Sequence, residues 1–197
     1  MIRGAPCWND RTRYYVQTNN PTEQMLRKVG APHWLESCGA DALTNCAAAL
    51  GKDFTLSCPG GFQPQIDELV TGYLNDPRNY PAFTAARPSL DPAGIPGNRV
   101  PQWLPLAARD VFGIHGQYRE GMGWGKLIAE LSAGRPVQIL LKSPGHYLAC
   151  VAYDEATDTV IYNDSWPGRS ADGNGWNRRM GKAELDNVQD FLVVYWV

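Results

Sequence analysis

A chain of 197 residues that is 44% hydrophobic has enough apolar surface to build one domain around a sizeable core. A formal net charge of −2 and a pI near 5.9 carry no electrostatic footprint for nucleic acid or an anionic membrane, so neither is an expected partner. Five cysteines (Cys7, Cys38, Cys46, Cys58 and Cys150) form an odd set with no C-x-x-C pair, which argues against a disulfide framework and against structural zinc.

Whether Cys7 and Cys58 pair is left open. The N-terminal Met1-Ile2-Arg3-Gly4-Ala5-Pro6 lacks the apolar run of a secretory signal. No segment approaches the roughly eighteen apolar residues of a membrane span. The expectation is a soluble chain, cytoplasmic or exported by another route.

Along the chain, Tyr14-Tyr15-Val16-Gln17 reads as a short extended piece broken by Thr18-Asn19-Asn20-Pro21. Weaker signals place a helix around Thr22 to Val29. Next comes Ser37-Cys38-Gly39-Ala40-Asp41-Ala42-Leu43, at the threshold of a helix. Leu43, Cys46, Ala47 and Leu50 recur at i, i+3, i+4 and i+7, and Gly51 is a C′ stop. A thiol at that entrance meets unpaired backbone N–H groups and the positive end of the macrodipole, both of which favour thiolate.

From Cys58-Pro59-Gly60-Gly61 to Gly123 the chain is punctuated by proline and glycine. Helices are predicted over Gln65 to Leu74 and Gln102 to Val111, with an irregular stretch from Asp76 to Val100 between them. The whole, about 59–123, is read as an insertion in a single domain, facing substrate or a partner.

Trp124, Leu127, Ile128 and Leu131 have helical spacing, ended by Gly134-Arg135-Pro136. Val137 to Leu141, Tyr147 to Tyr153, Thr159 to Asn163 and Phe191 to Trp196 are rich in β-branched and aromatic residues. They predict an antiparallel sheet with a tight turn over Asp154 to Asp158. A helical front half followed by a strand-rich back half indicates α+β.

A nucleophilic thiol needs a base, and the base an orienting acceptor. His146 lies where Ser143-Pro144-Gly145 feeds a strand. In a hairpin turning at Asp154 to Asp158, Asp164 returns beside His146, with Asn163 as the runner-up. His33 and His115 read as surface or packing residues, and Cys46 and Cys150 as core. The carboxylates Asp154, Glu155, Asp158, Glu184 and Asp186 form no convincing metal set. The pairs Arg11 with Arg13 and Arg178 with Arg179 read as solvated surface. Trp166, Trp176 and the glycine-rich run 170–175 read either as a surface loop with aromatic plugs or as one wall of a substrate groove.

Cys38-Gly39 opening an apolar helix, Leu131-Ser132-Ala133-Gly134-Arg135-Pro136-Val137, and Gly145-His146-Tyr147 leading to Tyr162-Asn163-Asp164 follow one another in order. This order resembles the bacteriocin-leader-processing (double-glycine peptidase-like) superfamily of papain-like cysteine peptidases. Tyr14 to Asn20 likewise resembles that family's early strand.

The resemblance implies a papain-like fold, with a helical N-terminal half packed on a C-terminal antiparallel sheet. It also implies Cys38 as nucleophile, His146 as base, Asp164 as orienting carboxylate and Gln17 as oxyanion donor, with no cofactor. The implied substrate is a peptide or protein; a peptidoglycan stem peptide and acyl transfer on the same triad are variants. From a different class comes an inactive binding or structural module. Two positions depart from the family pattern: Ala40-Asp41 stands for the usual Pro-Thr or Pro-Ser, and Ser165 for the proline after Asp164.

Overall fold

The computed structural model describes residues 1–15, 37–52, 70–74, 76–89, 100–166 and 173–197. Its frame is a seven-stranded sheet in which every pairing is antiparallel. The strands are β1 (Ile2–Gly4), β2 (His115–Glu120), β3 (Val137–Leu140), β4 (Tyr147–Asp154), β5 (Thr159–Asn163), β6 (Arg178–Met180) and β7 (Phe191–Trp196). They lie in the order β2-β7-β3-β4-β5-β6. β1 continues the line of β3 along β4: β3 pairs with Tyr147 to Cys150, and β1 with Ala152 to Asp154.

Helices cover both faces. On one face lie α1 (Cys38–Ala49), α2 (Tyr80–Ala86) and α3 (Leu104–Phe112), whose Leu43, Phe83, Leu104 and Ala108 share a core with Tyr147, Val151 and Tyr195 of the sheet. On the other face α4 (Trp124–Ser132) sets Leu127 and Leu131 against Val137, Ile139, Leu148 and Val160. A strand buried on both faces carries no polar alternation, and β4 accordingly reads as a nearly unbroken apolar run.

α1 is the central helix. The periodicity gave it one apolar face, yet all its residues are buried. Ala40, Ala42, Ala47, Ala48 and Ala49 present so little bulk that sheet and neighbouring segments close over every side. Its C-terminus follows the predicted stop. Gly51 takes φ 81°, its N–H donates to Ala48 O at 2.9 Å, and Lys52 N–H reaches Ala47 O at 3.2 Å. These bonds satisfy carbonyls that the helix end would otherwise leave open.

The helices expected at Gln102 to Val111 and from Trp124 form as α3 and α4, and the four predicted strands as β3, β4, β5 and β7. Inside the stretch 76–100, expected to be irregular, lie a 3₁₀ turn (Pro77–Asn79) and α2. Phe83 anchors α2 by stacking on Trp103 at 4.9 Å.

His115, expected in a loop, begins β2, and β1 and β6 are likewise additional. Their sequences, HGQYRE, IRG and RRM, carry little strand propensity, and long-range pairing with β7, β4 and β5 creates them. Residues 70–74 are helical as read. The Thr22 to Val29 helix and the rest of the Gln65 to Leu74 helix lie outside the described residues. Of the piece Tyr14 to Gln17, the structure describes only Tyr14 and Tyr15. Tyr14 is extended and follows a 3₁₀ turn (Arg11–Arg13), without joining a strand.

Cys7, Cys38, Cys46 and Cys150 are free thiols, and Cys58 lies outside the described residues. Among the described residues no helix is long and apolar enough to cross a membrane.

Candidate active site

Cys38 is the first residue of α1, with Ser37 as N-cap. Three of the four sequence-predicted site residues meet here. His146 Nε2 lies 2.7 Å from Asp164 Oδ1, and the Cys38 side chain stands near enough to the imidazole to favour its protonated form. With Nε2 engaged by the carboxylate, Nδ1 is the ring nitrogen left for sulfur. All three side chains are buried, so the contacts act in a medium of low dielectric. Burial works against protonation of the His146 ring, but the hydrogen bond it donates to Asp164, the nearby Cys38 side chain and the charges of both outweigh it. The imidazole is held above its ordinary value.

A bulge interrupts the pairing of β4 with β5. β4 and β5 pair as Asp154↔Thr159, Tyr153↔Val160 and Ala152↔Ile161, then shift to Cys150↔Tyr162 and Ala149↔Asn163, leaving Val151 as the extra residue. Val151 and Ala152 consequently both face α1. Past the ends of the two strands, the Trp166 and His146 rings meet edge to face at 6.3 Å.

Asp164 is held from three directions. Its Oδ1 accepts from Trp166 N–H at 2.8 Å, closing an Asx turn, while its backbone N–H donates to Gly175 O at 2.8 Å. Its carbonyl accepts from Tyr14 Oη at 2.5 Å. Tyr14 is pushed well above the usual tyrosine range by burial, then by the Asp164 and Asp41 carboxylates, so its hydroxyl stays a donor. A Cβ on Gly175 would run into both the Asp164 carbonyl oxygen and the Tyr14 hydroxyl. Gly175→Ala is therefore expected to destabilise by about 1–3 kcal/mol in chemical denaturation. A value within 0.5 kcal/mol (roughly) of wild type would mean that this junction yields freely.

Gln17, the fourth predicted residue, lies outside the described residues, as does His33. The chain leading to Gln17 is anchored by a residue that the sequence reading passed over. Asn45 Oδ1 accepts from Tyr15 N–H at 3.1 Å, and its Nδ2 donates to Tyr15 O and Asp41 O, each at 3.0 Å. An asparagine among alanines on a buried helix was the available signal.

Asp41 is fully buried one turn beyond the thiol. His115 is exposed on the edge strand, stacked on Trp196 at 5.7 Å and three strands from β4. Cys46 and Cys150 are fully buried, and burial pushes both thiols up. Trp176 is half-buried with the Arg11 guanidinium 5.5 Å from its ring, so one of the arginines read as solvated surface covers an indole.

The model of the Peptidase C39 like family matches residues 10–188. Comparison with the curated proteins finds no match. Among solved structures, a crystal structure of a Bacillus anthracis protein described as a C39-like peptidase is similar over 48% of this chain and 57% of that one. The TM-score is 0.37 at 12% identity. The family match spans most of the chain, from Asp10 at the 3₁₀ turn before Tyr14 to Val188, shortly before β7: this protein belongs to the Peptidase C39 like family.

Proposed function

We propose that Cys38, His146 and Asp164 form the triad of a cysteine peptidase or amidase that hydrolyses a peptide bond in a peptide, a protein or a peptidoglycan stem. The observation that carries this reading is the buried hydrogen bond of His146 with Asp164 beside the Cys38 side chain, with the sulfur at a helix N-terminus. Asp164 accepts from Nε2–H, which leaves Nδ1 to take the proton from Cys38 Sγ.

The thiolate then attacks the carbonyl carbon. The oxyanion of the tetrahedral intermediate is met by the Cys38 backbone N–H and the Gln17 side chain, donors of a kind worth about 2.7–4 kcal/mol each. Nδ1–H passes its proton to the leaving amine, and the C–N bond breaks to leave a thioester. Water, deprotonated by the same imidazole, attacks the thioester carbonyl. The acid leaves, and the thiol is restored.

Alkylation by iodoacetamide across pH tests the reading without a known substrate. A thiol paired with imidazolium reacts well below pH 7 (roughly), whereas an ordinary one follows a pKa near about 8.5. Modification of Cys38, located by peptide mapping, is expected to persist at about pH 6. A rate that rises only around the free-thiol range would overturn the proposal in favour of an inactive binding module.

A further inference from the structure

One buried side chain ties the two halves of this site together. Gln138 in the middle of β3 is fully buried, and its neighbours Val137 and Ile139 point into the α4 core. Gln138 itself points to the α1 face, where its Nε2 donates to Gly39 O at 2.9 Å. Its Oε1 accepts from Tyr195 Oη of β7 at 2.8 Å. Both amide atoms are therefore used, in the only orientation that suits a carbonyl on one side and a hydroxyl on the other.

Gly39 follows the nucleophile directly, and its carbonyl lies in the first turn of α1. The bond from Gln138 ties this first turn to the sheet. The same strand also holds the base. Past β3, Leu141 N–H donates to His146 O at 2.9 Å, and Leu140 pairs with Tyr147.

We propose that Gln138 is a positioning residue. Through Gly39 it fixes Cys38 against β3, the strand that fixes His146, and Tyr195 orients the amide. The inference rests on the reading of Cys38 and His146 given above.

Removing this amide alone leaves the buried Tyr195 hydroxyl without its acceptor and so destabilises the fold, which makes stability by itself no measure of positioning. What an apolar side chain cannot do is pull on one carbonyl at the helix start. Geometry there matters, because displacements of about 1 Å cost about a hundredfold in turnover.

The test compares wild type, Gln138→Met and Tyr195→Phe as folded full-length proteins, reading the pH profile of Cys38 alkylation by iodoacetamide alongside the melting temperature. At about pH 6 the Gln138→Met rate is expected to fall about tenfold and the inflexion to rise by about one pH unit, as the sulfur loses its set distance to imidazole. Tyr195→Phe, which touches neither Gly39 nor Cys38, is expected to produce the same change at about a third of the size. If Gln138→Met does not fold, Tyr195→Phe decides alone. Lower melting temperatures with profiles unchanged from wild type would overturn the positioning role while leaving the triad reading intact. An ordinary-thiol profile in the wild type itself would overturn that reading, and this inference with it.

Discussion

Cys38→Ala is expected to abolish turnover while leaving the fold in place. The side chain that is lost is a single sulfur at the first position of a buried helix, and alanine is the best helix former available there. The lost packing is small, so thermal unfolding should remain cooperative and lie within a few degrees of wild type. Catalysis has no substitute for the sulfur, since imidazole and oxyanion donors without a nucleophile retain only the residual rate of positioning. Removing the nucleophile of an acyl-transfer triad costs at least about 10⁴-fold. Release of new amino termini from a denatured protein substrate, and from peptidoglycan stem peptides, provides the measurement. Undiminished release by the alanine variant would remove Cys38 from the mechanism.

Asp164→Asn is the next largest effect, and it has a second readout in stability. An asparagine can turn its NH₂ toward His146 Nε2, which traps the tautomer with the proton on Nδ1 and takes away the lone pair that Cys38 needs. Turnover is expected to fall at least about 100-fold. The stability effect follows from the direction of the His146 shift.

With Asp164 present, the folded imidazole titrates above its unfolded value. Its contribution is fully present below about pH 6.5 and is lost as the pH rises through the folded value. Without the carboxylate, burial becomes the dominant influence and protonation opposes folding. The variant should therefore lose stability relative to wild type as the pH falls from about 8 to about 5.5. The gap should be widest at the acid end, at about 1.5–3 kcal/mol. A gap that stays constant across that window, measured by urea denaturation, would show that His146 does not carry the charge assigned to it.

Much of this architecture could be read locally, and its limits are visible residue by residue. The helix starting at Cys38 and stopping at Gly51, and the strand Thr159–Asn163 after a tight turn, have local causes: spacing, a left-handed glycine and β-branched residues. The pairing of Asp164 with His146 was legible because a hairpin must return its second strand beside the start of the first. The role of Gln138 was not, since a glutamine in an apolar strand reads as a blemish until Gly39 and Tyr195 are seen on either side of it. Asn45 was passed over for the same reason, its partner Tyr15 lying on a different segment.

Short-range chemistry in the chain was thus sufficient for the kind of fold this is: α+β, with a thiol at a helix threshold, a histidine opening a strand and a carboxylate closing its hairpin. Folding in three dimensions settled which side of the sheet each group faces. It did so through helices on both faces of the sheet and through edge strands with almost no propensity of their own. Propensity and periodicity act over a few neighbouring residues, whereas register, burial and hydrogen-bond partners are set by contacts between segments far apart in the chain, and those can override the local preference.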